Sequence, residues 1–221
     1  MTHFSDGVRV GANFTNNGLA SQPGAPMSPV FVYDVVPVAL DADGICAQQT
    51  LGAAGNASLN GALASGGTVT LDVPRNVIVD AAGAATAVLT VYGTDVYGIS
   101  MSEAITLNGT TAVAGTKAFK TITRIAASAA ATDFFVGTGD VFGLPFRVDS
   151  RNYCLTAWDG AFVTTGTFAA ADTTSPATTT TDDVRGTFAP ASAADGSKRL
   201  TAWIYIEDPE SVTGLYGVTQ A

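Results

Sequence analysis

Asn-Gly or Asp-Gly occurs seven times along the chain, beginning at positions 6, 17, 43, 60, 108, 159 and 195. Both pairs tolerate the positive φ that a two-residue hairpin demands, and they are the strongest short-range hairpin signal a sequence carries. A chain punctuated this often has room for many short strands and little room for long helices. The stretch Ala47 to Ser65 is broken by Gly52, Gly55 and Gly61, each costing a helix about 1 kcal/mol against Ala. The run Ala126 to Ala131 is expected to form one or two helical turns and no more.

Strand patterns fill the intervals. In Thr68 to Val73, the residues Val69, Leu71 and Val73 share one face and Thr68, Thr70 and Asp72 the other. Phe142 to Asp149 alternates in the same way, with Pro145 placing it at an edge or beside a bulge. Ala87 to Tyr92 and Leu200 to Glu207 are apolar on both faces, which puts such strands in the centre of a packed sheet or at a subunit interface. Many short strands between turn pairs predict an all-β fold, an antiparallel β-sandwich of jelly-roll-like form. A chain of 221 residues buries roughly 70% of its unfolded surface, so it needs no staples.

Two stretches stand apart. Residues 1–30, with Asn13, Asn16, Asn17, Gly18, Pro23, Gly24, Pro26 and Pro29, suit an extended N-terminal arm. Residues 31–221 then form the sandwich, with two lobes dividing near residue 130 as the alternative. Ala169 to Arg185 is expected to be a long exposed loop. Gly93 to Ile99 echoes Gly137 to Leu144, which is either a pair of similar hairpins or a chance likeness between turn sequences.

Charge narrows the classes of function. The net charge is −9, and phosphate attraction supplies most non-specific nucleic-acid affinity, so neither nucleic acid nor anionic lipid is an expected partner. The most apolar stretch, Val30 to Leu40, is interrupted by Asp34 and Pro37, so no membrane span is expected. Met1 to Asp6 has neither a basic nor an apolar leader region, and no secretory signal is expected. Cys46 and Cys154 are read as reduced, small hydrophobic residues.

Catalytic constellations do not emerge. The only histidine is His3, near the start, and no Gly-x-Ser-x-Gly elbow is present. Gly137, Gly139 and Gly143 lead toward a strand, so they read as a turn and not as a phosphate cradle. Asp41 to Gly44 resembles half a calcium loop, but Ile45 follows where an oxygen ligand is needed. Glu207 to Glu210 reads as a solvated strand end. Nineteen acids leave a glycosidase formally open, yet nothing singles out a pair. Trp158, Phe162, Trp203, Tyr205 and Tyr216 are read as core and interface residues, with a sugar groove as the alternative. No catalytic residue, metal or cofactor is expected, and the chain is not expected to be an enzyme.

The blocks Gly61 to Val77, Leu89 to Gly98, Ser102 to Gly109 and Gly115 to Thr123 are similar to small β-rich virion proteins of tailed bacteriophages, particularly podovirus-like and cyanophage types. So are Asp183 to Pro190 and Ala193 to Leu200, while residues 1–60 lie outside the resemblance. The resemblance implies a capsid decoration, or cement, protein: a homotrimer on the outer capsid surface that binds the major capsid protein. Under that reading the expected contact residues are Val10 and Phe14 in the arm and Trp203 and Tyr205 in the last strand. The competing expectations are a tail or head-fibre protein that binds a host glycan, and a cell-surface adhesion module.

Overall fold

The computed structural model describes residues 30–162, 166–206 and 211–220. They form an all-β molecule of antiparallel sheets, with a single 3-10 turn and one five-residue helix among them. The expected arm, with His3, Val10 and Phe14, lies outside the described residues, as does Glu207 to Glu210.

The larger sheet is organised by three strands: β5 (Thr68–Ala81), β9 (Phe119–Ala127) and β10 (Ala131–Gly143). β5 begins as the sequence predicts, with Val69, Leu71 and Val73 buried and Thr68, Thr70 and Asp72 exposed. From Val73 to Val77 every residue is buried. Pro74 is accommodated because the β5–β9 register shifts between Thr70 and Arg75, so no ladder N–H is demanded of it. Beyond β9 lie the hairpin strands β6 (Val88–Thr94) and β7 (Ser100–Thr106). Beyond β10 lie β14 (Thr187–Ala189) and β13 (Thr167–Ala169). Short strands β2 (Cys46–Leu51), β3 (Gly55–Asn56), β4 (Ala64–Ser65) and β8 (Val113–Ala114) pair with β10, β9 and β5 and curl the sheet around its core. That core contains Ile45, Val69, Val79, Leu89, Ile122 and Phe134, among others.

β10 carries a register shift between Thr138 and Phe142 against β5, and two side chains complete the interrupted ladder. Arg75 Nε donates to Gly139 O at 2.7 Å, and Arg75 Nη2 donates to Asp140 Oδ1 at 2.7 Å. Asn76 Oδ1 accepts from Val141 N at 3.0 Å. A buried guanidinium is tolerable here because backbone and carboxylate oxygens replace its lost water.

The smaller sheet has the order β1 (Val30–Val35), β15 (Leu200–Tyr205), β11 (Cys154–Trp158) and β12 (Ala161–Phe162). β15 is thus interior to its sheet, as its two apolar faces predict. Leu200, Ala202 and Ile204 point inward with Cys154 and Trp158, and meet Val73, Phe142, Phe188, Leu144 and Val148. Trp158 stacks on Phe142 at 6.0 Å. The two sheets therefore form a sandwich over a shared apolar layer.

Turn chemistry works at fewer places than its count suggests. Asp159 and Gly160, at φ 52° and 78°, make the two-residue turn between β11 and β12. The tightest hairpin of the large sheet, β4 to β5, uses Gly66 and Gly67 at φ 60° and 79° instead. Four expectations are corrected. The strand predicted over Phe142 to Asp149 ends at Gly143, since Pro145 has no N–H to extend it; Leu144 and Val148 are buried by leaving the sheet. Ala126 to Ala131 forms no helical turn; Ala127 closes β9 and Ala131 opens β10. The Gly93 and Gly137 echo is not a pair of hairpins, because Gly137 lies within β10 while Gly93 precedes the β6–β7 turn. The Ala169 to Arg185 loop is anchored at its far end, where Ala177, Asp183, Val184 and Arg185 are buried.

Candidate functional site

Strand alternation in the smaller sheet sends Val30 and Val32 of β1, Trp203 and Tyr205 of β15 and Leu155 of β11 to the outer face. Register places Val32 and Leu155 on either side of Trp203. Phe162 of β12 comes within 5.6 Å of Trp203, ring to ring. Tyr205 stacks at 5.8 Å on Tyr153, in the 3-10 turn Arg151–Tyr153. Val32 is 51% exposed, Leu155 53% and Phe162 67%, and Trp203 and Tyr205 are half-buried. The one charged side chain these strands carry is Asp34, which accepts from Arg199 Nη1 at 2.5 Å and from Thr201 Oγ1 at 3.0 Å. Two of the four predicted contact residues thus lie together on one largely apolar face, whose one charged strand residue, Asp34, is paired with Arg199. Phe162, read with Trp203 and Tyr205 among the core and interface aromatics, joins them here; Val32 and Leu155 complete the face and were missed, because only the sheet register brings them beside Trp203.

The five aromatics proposed for a sugar groove do not share one. Trp158 points into the core and donates from Nε1 to Ser192 Oγ at 2.9 Å. Tyr216 lies in helix α1 (Val212–Tyr216), within 4.8 Å of Tyr97 and 6.1 Å of Phe146. Phe31 meets Phe146 edge-on at 4.7 Å. A second aromatic row, Phe31, Phe146, Tyr216 and Tyr97, therefore crosses the surface, with Phe31 and Tyr97 exposed.

The buried charges form a separate cluster around the 177–186 segment. Arg185 Nη1 pairs with Asp95 Oδ2 at 2.8 Å, and Gln220 Nε2 donates to the same oxygen at 2.7 Å. Asp95 Oδ1 accepts from Tyr97 N and Ile99 N, shaping the β6–β7 turn. Lys117 Nζ donates to Ser102 O and Thr178 O, and Asp183 Oδ2 accepts from Ala118 N. Glu103 accepts from Thr116 N and Oγ1 and from Lys117 N. Burial raises the Glu103 and Asp183 carboxyls above their ordinary range, and the donors around each oppose that rise.

Two neighbouring cavities of about 370 and 300 Å³ lie beside this cluster, one rimmed by Glu103, Thr116 and Thr180 and the other by Val141, Asp183 and Thr187. The Glu103 and Asp183 carboxylates there accept backbone N–H groups, and Asp182 lines both cavities. Among the described residues no three His, Cys, Asp or Glu side chains gather as a metal-binding group. Asp41 Oδ1 instead accepts from Asp43 N at 3.3 Å, within a local turn. Cys46 and Cys154 are free and buried, and burial pushes their thiols up to about 12 and about 11. No protein-family model, curated protein or solved structure matches this chain.

Proposed function

We propose that this chain is a structural virion protein that binds the outer surface of a phage capsid as an oligomer and stabilises contacts between capsomers. The observation that carries the reading is the largely apolar face around Trp203, whose one charged strand residue, Asp34, is paired with Arg199. An apolar patch of this kind on a packed β body has another protein, and not water, as its complement. Trp203 and Tyr205 are its contact residues, and Val10 and Phe14 of the N-terminal segment are proposed to add to them. The partners are the major capsid protein and further copies of the chain, in the trimer that the sequence resemblance implies. An acidic protein suits the outside of a shell better than the inside, where packaged DNA repels it. Individually weak contacts suffice, because an oligomer that engages several capsomers gains avidity.

The test is co-sedimentation with undecorated capsids, together with localisation of the chain in intact particles. Saturable binding and a high copy number over the head are expected. No binding, or a few copies confined to the tail, would overturn the reading. Deleting residues 1–29 is expected to weaken binding; unchanged binding would remove Val10 and Phe14 from the contact.

The second reading, a fibre protein that binds a host glycan, is favoured by the row Phe31, Phe146, Tyr216 and Tyr97, whose rings offer flat apolar faces to sugar C–H groups. Sugar-dependent quenching of tyrosine fluorescence, lost in Tyr97→Ala, would support it.

A further inference from the structure

We infer that the Asp159–Gly160 peptide is a site of spontaneous backbone isomerisation, at which the aspartate passes through a cyclic imide to isoaspartate. This modification is separate from the capsid reading and does not depend on it.

Asn-Gly and Asp-Gly are chemically labile as well as turn-forming, because glycine has no side chain to hinder attack by its own nitrogen on the preceding side-chain carbon. At Asp159 the Gly160 nitrogen attacks Cγ of the protonated carboxyl. A C–N bond forms, the C–OH bond breaks, and the hydroxyl leaves with the amide proton as water, giving a five-membered succinimide. One water then adds back. Ring opening at one carbonyl restores aspartate, and opening at the other leaves the main chain running through Cβ and Cγ. The net change is a rearrangement, with no oxidant or reductant.

Ring closure needs a glycine N–H that is free to turn and a side chain that is free to swing. Five such pairs lie within the described residues, beginning at Asp43, Asn60, Asn108, Asp159 and Asp195. Four of them are held. Gly61 N donates to Ile45 O at 3.1 Å, and Asn60 Oδ1 accepts from Ala47 N at 3.0 Å. Gly109 N donates to Ala85 O at 2.9 Å. Gly196 N donates to Pro37 O at 3.2 Å, and Asp195 Oδ1 accepts from Ser197 N and Lys198 N. Gly44 is buried, and its peptide with Asp43 packs on Gly61, where a Cβ would come within 2.3 Å of Asp43 O and Gly44 C.

Asp159 and Gly160 differ on each count. They are the exposed turn residues between Trp158 and Ala161. Asp159 N donates to Arg199 O at 2.9 Å, but among the described residues the Gly160 N–H and the Asp159 carboxylate engage in no hydrogen bond. A Cβ at Gly160 would meet nothing within 4 Å, so this peptide turns in open space. Asp159 sits at φ 52°, a costly conformation for a residue with a side chain, and the added main-chain methylene relieves it. Phe162, at the end of the same hairpin and 5.6 Å from Trp203, shifts with the lengthened turn.

Chain chemistry alone ranks the pairs the other way. An amide loses ammonia directly, whereas a carboxylate must first be protonated before it can lose water, so Asn-Gly closes faster than Asp-Gly where no fold intervenes.

The full chain is held warm at neutral pH for several weeks, digested, and mapped by mass spectrometry with electron-transfer fragmentation, which distinguishes isoaspartate from aspartate. Product at Asp159 is expected to exceed that at each of the other four pairs by about fivefold or more, the factor that one net hydrogen bond supplies. In guanidinium chloride the order is expected to invert, with Asn60 and Asn108 ahead. Asp159→Glu would have to close a six-membered ring and is expected to abolish the product. Asp159→Asn keeps a residue suited to positive φ and is expected to convert faster than the wild type, which keeps the test open if glutamate disturbs the turn. An unmodified Asp159, or Asn60 or Asn108 leading in the folded chain, would overturn the inference. So would the same order in denaturant as in buffer, because the fold would then decide nothing.

Discussion

Six charged side chains are buried along the large sheet and the loop that covers it: Arg75, Asp95, Glu103, Lys117, Asp183 and Arg185. The four strands of the small sheet carry one charge, Asp34, at the surface. In the large sheet the buried charges bond to backbone and fix irregular features: the β10 register shift, the β6–β7 turn and the 177–186 segment. In the small sheet the ladder is regular and needs no such help, and its outer face carries exposed apolar side chains. Buried charge held by backbone and carboxylate partners locks a shape, because any rearrangement strands an ion, even though Arg185 Nε has no hydrogen-bond partner among the described residues. Apolar surface without cover lends itself to association. The contrast separates the part of the molecule that holds its form from the part available for contact.

Asp95→Ala is expected to give the largest effect. It removes the acceptor of Arg185, Gln220, Tyr97 N and Ile99 N and leaves the buried guanidinium without its paired carboxylate, with the Tyr97 ring and Asp183 near it, at about 3–5 kcal/mol. Thermal or urea unfolding measures it, and a loss below about 1 kcal/mol would show that the cluster does not lock the turn. Next comes a matched pair across the two faces of the sandwich. Phe142→Ala empties a core position and is expected to cost about 3–4 kcal/mol. Trp203→Ala is expected to cost less than half of that in the single chain, since its ring is only half-buried, with its main effect on mass. Equal losses in melting would erase the distinction between core and contact face.

A pH series sharpens the contrast further. Glu103 and Asp183 are raised by burial. A carboxyl raised in the folded state adds stability that is complete below its unfolded pKa and is lost as pH rises through its folded value. Asp172 and Asp195 are lowered, the first chiefly by the Thr174 N–H and the second by Ser197. Their contribution is present above the unfolded pKa and fades as pH falls, but both lie near the surface, where it is small. The melting temperature is therefore expected to decline from about pH 4, the ordinary carboxylate range, toward neutrality, and Glu103→Gln is expected to flatten that decline. A wild-type profile that rises over this span would reverse the assignment. The smallest effect expected is at Tyr33, whose hydroxyl is buried without a partner. Tyr33→Phe removes an unmatched polar group and is expected to be neutral or to stabilise by about 1 kcal/mol in thermal unfolding.

Regular elements were legible wherever side-chain alternation ran unbroken. Val69, Leu71 and Val73 were placed on one face because a period of two is written in the residues themselves, and β15, apolar on both faces, was expected in a sheet interior or at a subunit interface. The bulged and irregular parts were not. Phe142 to Asp149 alternates like a strand, but Pro145 and the fit of Leu144 and Val148 into the core end it at Gly143. Arg75 and Asn76 gave no sign that they would complete a ladder 64 and 65 residues further on. Trp203 and Tyr205 were legible as contact candidates from their aromatic character on a doubly apolar strand. Phe162 was named with them among the core and interface aromatics, but their neighbours Val32 and Leu155 were not, since nothing local distinguishes them from core residues.

The sequence by itself determined the all-β class, the acidic balance and the apolar content of the last strand, since turn propensity, ionisation and hydrophobicity belong to individual residues and their near neighbours. Tertiary structure decided which apolar residues stay uncovered and where the buried ions find partners. Both depend on strand order and register, which join residues as distant as Val32 and Trp203, and only the assembled sheets fix that pairing.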